Sequence, residues 1–513
     1  MTRSRIALPL FAAALSLGAT EARAQTAAPP PNLRPDTVGR QVAALPPPPA
    51  NPDETVDFRD LIHSDGMTAD RAAAMAIESS PSMARARASL RGTEAIEAQV
   101  RVNLYPRLQG SARATYTQPN LNGGLTQGMS QMQIDNIIGS ITAINPDLGQ
   151  FFSAFFNSTF PYYRSQYSFD VNLTYPVSAI FFQVLPQYRA AGHVSEATRL
   201  QLATEQQTVE MQARTLYYTY VRAVGAERIA EITVEATRAQ LERMQALREA
   251  GVASDADLYR IEAVASAADV GVVRARTQRE TSLRMLQVFL AGEEGPFPTI
   301  TVGEDVMQEV PDAGGSLDQL EQRAIDRRSE LAGLRSLYSA QLERIKAAQG
   351  GRYPVFSVAA NVMYANPNTR IFPQTREFRT TWDLNAVLTW SPNDLMANRA
   401  LMHREQAERD RLEAEHAALV DGVRVEVAQA YNGFVASREA ITAARAELRA
   451  SNETYRARFE QLQQGTVVTT EVVDAFRALT NARLQLLDAS IAMRLARAGL
   501  ARAVGDYAPE MED

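Results

Sequence analysis

The chain has 513 residues, no cysteine and a net charge of −7 at neutral pH, and Lys346 is its only lysine. The absence of cysteine excludes a disulfide scaffold, a thiolate metal site, a catalytic cysteine and an acylated N-terminal cysteine. The four histidines are scattered without metal-ligand spacing, and without a block of basic residues the sequence does not favour binding to nucleic acid.

The N-terminus has the pattern of a signal peptide. Arg3 and Arg5 precede an apolar run over residues 6–17, and a small-x-small motif ends at Ala24. The run is too short to cross a bilayer, and the order of charged, apolar and small-residue regions predicts export with cleavage after Ala24. A disordered or anchoring N-terminus is the alternative.

A segment rich in proline and alanine follows over residues 25–66. Proline runs favour an extended conformation that cannot bury a core, so we expect a tail or strap along the surface. No later stretch approaches the ~20 consecutive apolar residues of a transmembrane helix. Any membrane span must therefore be built from strands.

The rest of the chain contains an internal duplication. The segment AIESSPSMARARASLRGTEAIEAQVRVNLYPRLQ from Ala76 aligns with AIDRRSELAGLRSLYSAQLERIKAAQGGRYPVFS from Ala324, at an offset of 248. A second pair, LYYTYV and AYNGFV, aligns at an offset of 214, which also matches Gly251 with Gly465. Each copy is predicted to hold a helix, two strands and a long helical hairpin. The predicted segments are the signal peptide (1–24), the proline-rich tail (25–66), the first repeat (67–292), a linker (293–315), the second repeat (316–505) and a C-terminal tail (506–513).

The helical segments are long and suited to coiled-coil packing. Residues 187–250 contain no proline and two glycines, which allows a helix of ~95 Å. Large and small side chains recur in heptads over 427–462 and 472–500, so neighbouring helices can approach closely along one side. An antiparallel pair of helices in any other fold is the alternative. The large column comprises Val427, Phe434, Ile441, Leu448, Tyr455 and Leu462, and then Val472, Leu479, Leu486, Met493 and Leu500.

Between the helices the hydrophobic period changes to two residues, which predicts strands. One face of each strand is apolar and the other carries asparagine, aspartate and serine, as suits either an ordinary half-buried sheet or a barrel with a water-filled lumen. Four strands cannot close a barrel, so a membrane sheet requires several chains, and three chains would supply twelve strands. The strands are expected at about 106–118, 166–176, 354–365 and 380–391.

Aromatic residues bound the second strand of each copy. Tyr167 and Tyr175 are eight residues apart, as are Trp382 and Trp390, and the two tryptophans are the only ones in the chain. Eight strand residues span ~26 Å, close to the ~25 Å apolar band between the aromatic girdles of outer-membrane barrels. We therefore predict these four residues as a membrane girdle.

The loop between the first two strands, at about 118–164, is unusually long. Its position between membrane strands predicts an extracellular location. A self-packed loop is favoured over a lid or a contact with a surface partner. Its phenylalanines are Phe151, Phe152, Phe155, Phe156 and Phe160.

Together these features resemble the TolC-like outer-membrane efflux protein family over roughly residues 67–505. The motifs are LYPRLQ and RYPVFS before strands, NLTYP and LTWSP after strands, and REAGVASDADL and QQGTVVTTEVVDA at the helix turns. The resemblance implies an α+β membrane protein, a trimeric twelve-stranded outer-membrane β-barrel with four strands per chain. A long periplasmic α-helical coiled-coil barrel would continue it, ringed by a collar that includes 293–315 and part of the N-terminal tail.

The resemblance also implies an acidic entrance at the periplasmic end of the tube. Glu471 and Asp474 match the family's entrance carboxylates, and Asp257 is similar to the acidic position near the first turn. Spacing of three residues puts Glu471 and Asp474 on one helix face, and threefold symmetry would turn each into a ring that concentrates cations. The alternative is that acids in a first helical turn only complement the helix dipole.

Two helix turns resemble the family's docking grooves for a periplasmic adaptor. They contain Gly251 with Val252 and Gly465 with Thr466. Glycine suits close contact between helical tips, although a plain helix-ending glycine would look the same. The sequence departs from the family at Val467, where some members carry a latching arginine. It also has SPNDLMAN and YPVSAIFF in place of the glycine pair that often follows the second strand.

The sequence thus predicts a passive outer-membrane exit duct of a tripartite efflux pump or a type I secretion system, extending into the periplasm. The resemblance implies a homotrimer that contacts outer-membrane lipid, a periplasmic membrane-fusion adaptor and an inner-membrane RND, ABC or MFS pump. No nucleophile elbow, phosphate-binding glycine loop or metal-ligand cluster is present in the sequence, so we expect neither enzyme activity nor a cofactor. A soluble periplasmic coiled-coil adaptor or structural protein is the rival, but it does not explain paired strands with aromatic ends.

Overall fold

The structure is a computed structural model of the single chain. It describes residues 61–117, 129–156, 163–251, 253–292, 297–312, 314–372, 374–464 and 466–506. The predicted signal peptide and most of the predicted proline-rich tail lie outside these residues. Within them, every helix is too short or too polar to cross a membrane.

Both copies share the order of two helices, two strands and two long helices, and the first copy adds a strand at its start and two helices between its strands. The first contains β1 (Ile62–Met67), α1 (Ala69–Ser79), α2 (Pro81–Val102), β2 (Arg107–Tyr116), α3 (Gln131–Ile144), α4 (Pro146–Phe156), β3 (Ser165–Tyr175), α5 (Leu185–Glu249) and α6 (Asp255–Ala291). The second contains α7 (Leu317–Arg327), α8 (Ser329–Gly350), β4 (Val355–Asn366), β5 (Arg379–Thr389), α9 (Asp394–Gln463) and α10 (Thr469–Val504). A helical turn, Val177–Ala179, and a π-helical turn, Ile180–Val184, lead from β3 into α5.

The four expected strands form one antiparallel sheet in the order β2-β3-β4-β5. Paired residues point to the same side of the sheet, so the register divides the side chains into a polar face and an apolar face. The apolar face carries no charged residue along the four strands. The connections β2–β3 and β4–β5 lie at the end of the sheet remote from the long helices, and β2 and β5 are edge strands. One polar row comprises Gln109, Asn172, Asn361 and Asp383, and the neighbouring apolar row comprises Gly110, Val171, Val362 and Trp382.

The first helical segment of each copy is broken, whereas the sequence predicts one helix there. Ser80 and Arg328 are separated by the repeat offset, and both have extended backbone with ψ of 129° and 125°. In the first copy Pro81 disfavours helical conformation at the residue before it. In the second copy the break is held by the buried Arg328 side chain, which forms ion pairs with Glu330 and Glu426. The helix is therefore broken at the same position in both copies, but a different interaction causes the break in each.

The long helices pack along the predicted heptads, and the two copies interleave. Val427 and Phe434 on α9 are fully buried in a cluster that includes Leu500 on α10. Helix α5 of the first copy also packs on α8 of the second, as does α9. The α8 side chain of Gln341 donates through Nε2 to a carboxylate oxygen of Glu405 on α9, at 2.7 Å and out of contact with water. The duplication therefore yields one continuous helical layer.

The end of the predicted tail packs against the linker, where β1 makes isolated parallel bridges to Val302. The peptide carbonyl of Met67 accepts hydrogen bonds from the Tyr217 hydroxyl at 2.6 Å and from the Gly303 amide at 2.9 Å. A Cβ on Gly66 would lie 2.5 Å from the Val302 carbonyl oxygen, so this crossing requires a residue without a side chain. The segments that the resemblance assigns to the collar are thus in contact.

Arg494 on α10 fixes the linker from the other side. Its guanidinium donates to the carbonyl oxygens of Asp305 at 2.6 Å, Val306 at 3.2 Å and Gln308 at 3.2 Å. Tyr217 on α5 and Gly303 of the linker both donate to the Met67 carbonyl, so the linker is tied through Met67 to the long helix of the first copy and directly to the last helix of the second.

The long segment between β2 and β3 contains the helices α3 and α4. Ile134 is buried, and the rings of Phe151 and Phe152 meet edge to face with 5.6 Å between centroids. Phe151 is nevertheless 60% exposed. The structure thus places two helices where the sequence predicts a self-packed loop. The side chains of Phe155 and Phe156 and the whole of Phe160 lie outside the described residues.

Candidate functional site

The two helix turns that resemble docking grooves lie side by side. Val473 on α10 packs in a buried cluster with Met244 on α5 and Leu258 and Ile261 on α6. The hairpins α5–α6 and α9–α10 are thus joined by apolar packing close to their turns. We call the region of these two turns, around Gly251 and Gly465, the tip.

Gly251 ends α5 in the left-handed region, with φ of +74°. Its amide donates to the Arg248 carbonyl at 2.9 Å, and the Ala253 amide donates to the Leu247 carbonyl at 3.2 Å. Beyond its chain neighbours, a Cβ at Gly251 would meet no atom of the described residues within 4 Å, so the backbone conformation rather than lack of space requires the glycine.

At the second turn the Thr466 amide and hydroxyl both donate to the Gln461 carbonyl, at 3.0 Å each. Val252 and Gly465 lie outside the described residues.

Asp257 and Glu471 occupy the third residue of α6 and α10, respectively. The carboxylate of Asp257 accepts from the Ser254 hydroxyl at 2.6 Å, and the same hydroxyl caps the Asp257 amide at 3.2 Å. Because Val468, the residue that precedes α10, has no capping side chain, Glu471 has no such role. The structure therefore favours helix capping for Asp257 and leaves Glu471 available for another task.

Glu471 is paired within its own hairpin. Its carboxylate lies 2.9 Å from the guanidinium of Arg458 on α9, and the two side chains are 44% and 42% exposed. Asp474 is one turn further along the same exposed face, with Arg477 at 3.7 Å. The periodicity of the sequence did not reveal Arg458, because closure of the hairpin brings it to Glu471.

Two arginines, the buried Arg483 and the half-buried Arg243, lie between the hairpins, above the tip. Arg483 on α10 is 6% exposed, and burial lowers its pKa and that of Arg243 on α5. Burial raises the pKa of Tyr455, opposed by the hydrogen bond from Gln240 and by both arginines. The Arg243 guanidinium stacks 4.6 Å from the centre of the Phe459 ring. In the described part of the chain, Nε of Arg483 has no hydrogen-bond partner.

Three of the predicted girdle residues, Tyr167, Tyr175 and Trp382, lie on the apolar face of the sheet, and Trp390 directly follows β5. Trp382 is 78% exposed, and Tyr167 and Trp390 are also exposed, whereas Tyr175 is half-buried. The two pairs are staggered by four residues, since Tyr167 is opposite Asn366 and Trp382 is opposite Val362. The two pairs can lie at the same depth in a bilayer only if the strands are tilted, as they are in outer-membrane barrels.

Comparisons with known proteins agree with this architecture. The model of the outer membrane efflux protein family matches residues 72–292 and 320–506, the two copies of the duplication. No curated protein matches the chain. A crystal structure of CusC is similar at 16% identity over 93% of this chain and 99% of that chain, with a TM-score of 0.69. The Campylobacter jejuni CmeC outer membrane channel is similar at 13% identity over 90% of this chain and 89% of that chain, with a TM-score of 0.68. The Neisseria gonorrhoeae MtrE outer membrane channel, in its open state, is similar at 17% identity over 85% of this chain and 88% of that chain, with a TM-score of 0.66. At these identities the likeness to solved structures shows the shared fold.

Proposed function

The chain belongs to the outer membrane efflux protein family and is an outer-membrane efflux channel with a periplasmic extension, and we propose that three copies join edge to edge as one passive exit duct. The observation that carries the proposal is the open four-stranded sheet. Its edge strands β2 and β5 have no partner strand within the described chain. Lipid does not tolerate unpaired backbone groups, so the sheet must close with further copies.

The two faces of the sheet support this arrangement. The apolar face, which carries no charge along the four strands, suits contact with lipid. The polar face carries rows of asparagine, aspartate, serine and arginine, which suit a bore filled with water. A soluble coiled-coil rod, the rival reading, would expose the same apolar face to water.

For the entrance, we propose that Glu471 and Asp474 form carboxylate rings at the tip. Their shared exposed face and their distance from the sheet support this role, whereas Asp257 is engaged in helix capping. Because Arg458 neutralises part of the Glu471 charge, the ring of Glu471 is weaker than its sequence suggests.

For the partners, we propose that a periplasmic adaptor docks on the turns around Gly251 and Gly465 and links the duct to an inner-membrane pump. The bare, exposed backbone at Gly251 supports tip-to-tip contact. A type I secretion system would use the same surfaces. The pump supplies the energy, since the duct itself is passive.

The first experiment is the native mass of the protein extracted from outer membranes in mild detergent. A trimer supports the closed duct. A soluble periplasmic monomer or dimer refutes it and favours the coiled-coil rod.

The entrance is tested by the block of single channels by Mg²⁺ added from the periplasmic side. Replacing Glu471→Gln together with Asp474→Asn should weaken the block roughly tenfold, because several carboxylates near the axis act on a divalent ion. Arg458→Gln should strengthen it, because it removes the cation beside Glu471. Glu78→Gln, an exposed change on α1 away from the tip, is the control. Equal block in all four proteins would remove the ring assignment.

A further inference from the structure

We propose that the end of the sheet remote from the long helices binds anionic groups, such as carboxylates, phosphates or sulfonates, of the molecules that leave through the duct. The inference rests on the duct proposed above. It assigns the site to arginines on the polar face of the sheet, which we call the exit arginines: Arg113, Arg370 and Arg379.

The charge of the sheet region differs in sign from that of the whole chain, which is −7. Over residues 107–116, 163–175 and 355–389 the arginines outnumber the carboxylates six to three. The arginines are Arg107, Arg113, Arg164, Arg370, Arg376 and Arg379, and the carboxylates are Asp170, Glu377 and Asp383. Arg107 lies at the opposite end of the sheet, and Asp135 and Asp147 lie in the β2–β3 connection, so the inference rests on where the exit arginines are placed and not on a net charge of this end.

Two of the exit arginines lie in one row of the register. Arg113 is opposite Ser168, Ser168 is opposite Ala365, and Ala365 is opposite Arg379. Arg113 is on β2 and Arg379 is on β5, the two edge strands. Closing the barrel places these strands beside each other at every joint between copies, so arginines of adjoining copies come onto neighbouring strands.

Arg370 is fixed over the same face although it belongs to the β4–β5 connection. Its Nη2 donates to Asn361 Oδ1 at 3.1 Å, and its guanidinium forms an ion pair with Asp383. The connection is anchored by the buried Asn368, whose Nδ2 donates to the Arg379 carbonyl at 2.9 Å. A tethered guanidinium needs little further ordering when it binds a solute.

The chemistry of guanidinium fits this role. The group has five N–H donors in a planar fork that matches carboxylate and phosphate oxygens, and the two contacts of Arg370 leave donors for a solute. Asp383 and Glu377 offset part of the charge, the latter at 3.0 Å from Arg379. The expected binding is therefore weak, which suits a site that a solute must also leave.

The test is block of single channels of the full-length trimer by inorganic tripolyphosphate added from the exterior side. Wild type should be blocked, and the triple variant Arg113→Gln, Arg370→Gln, Arg379→Gln should need at least tenfold more tripolyphosphate. Asp170→Asn, which removes a carboxylate from the same face, should be blocked more easily. Arg113→Gln alone, at an exposed position, gives a partial loss even where the triple variant fails to assemble.

The outcomes separate this inference from the proposed function. Normal conductance with equal block in wild type, Arg113→Gln and Asp170→Asn overturns the anion site while the duct stands. No conductance from the wild-type protein refutes the duct itself.

Discussion

Gly251 provides a direct test of why the first turn contains a glycine. An alanine at φ of +74° costs about 1–2 kcal/mol, because Cβ approaches the following carbonyl oxygen in the left-handed region. Apart from the neighbouring backbone, no atom of the described residues lies within 4 Å of that Cβ, so no further steric term is added. Asparagine tolerates the same conformation better, so Gly251→Asn should cost only a fraction of this.

The cost should be confined to the tip, and local hydrogen exchange measures it. An increase of 1–2 kcal/mol raises the local opening equilibrium by about 5- to 30-fold, so amides at 247–258 should exchange faster in Gly251→Ala by that factor. Gly271→Ala is the matched control, because Gly271 lies within α6 with open space around it. There alanine should stabilise the helix by about 0.5–1 kcal/mol.

Two results would refute this reasoning. Unchanged exchange in Gly251→Ala would mean that the left-handed conformation does not hold the turn. Equal acceleration in the alanine and asparagine variants would mean that any side chain is rejected, whatever its conformational preference. If docking needs bare backbone, Gly251→Asn should keep the tip closed yet lose adaptor binding.

Three further predictions concern the sheet, the linker and the buried Arg483. Leu384→Arg, near the middle of the apolar face, should destabilise folding into lipid vesicles by about 2–4 kcal/mol, whereas Trp390→Arg at the girdle should cost about 0–1 kcal/mol in the same urea titration; equal costs would contradict the membrane assignment. Arg494→Met leaves three linker carbonyls without their donor and should lower stability by about 2–3 kcal/mol, with Arg494→Lys intermediate, measured by denaturant unfolding; an unchanged midpoint would show that the linker is held by other contacts. Arg483→Met replaces a buried cation by an apolar side chain of similar length and should raise the thermal midpoint, with a gain of about 1–3 kcal/mol; a lower midpoint would mean that a carboxylate of a neighbouring copy pairs with Arg483.

The sequence was most informative where one environment extends over many residues. The four strands were predictable because each face meets a single environment, so that Phe169, Val171 and Leu173 alternate with polar residues. The heptads that include Val427 and Phe434 were predictable for the same reason. The family resemblance, and with it the outer-membrane efflux function, is confirmed by the match to both copies.

What the sequence did not predict depends on contacts between distant residues. The helix break at Arg328 is stabilised by Glu426, 98 residues away. The pairing of Arg458 with Glu471 requires the hairpin to close, and Arg370 reaches Asp383 only because its loop folds back onto the sheet. The turn at Gly251 was predicted because its cause, a left-handed residue, is local.

The bonds around Met67 and Arg494 also have a mechanical consequence. The linker is bound directly to α10 through Arg494, and to α5 through Met67, whose carbonyl accepts from both Tyr217 and Gly303. A force that spreads the two helices acts on these hydrogen bonds, so the helices rotate about the linker instead of separating there. From Tyr217 to Glu249 the lever is 32 residues or about 48 Å long, so a tilt of about 10° moves its end by about 8 Å. A small rotation about the linker is therefore enough to change the width of the passage at the far end of α5.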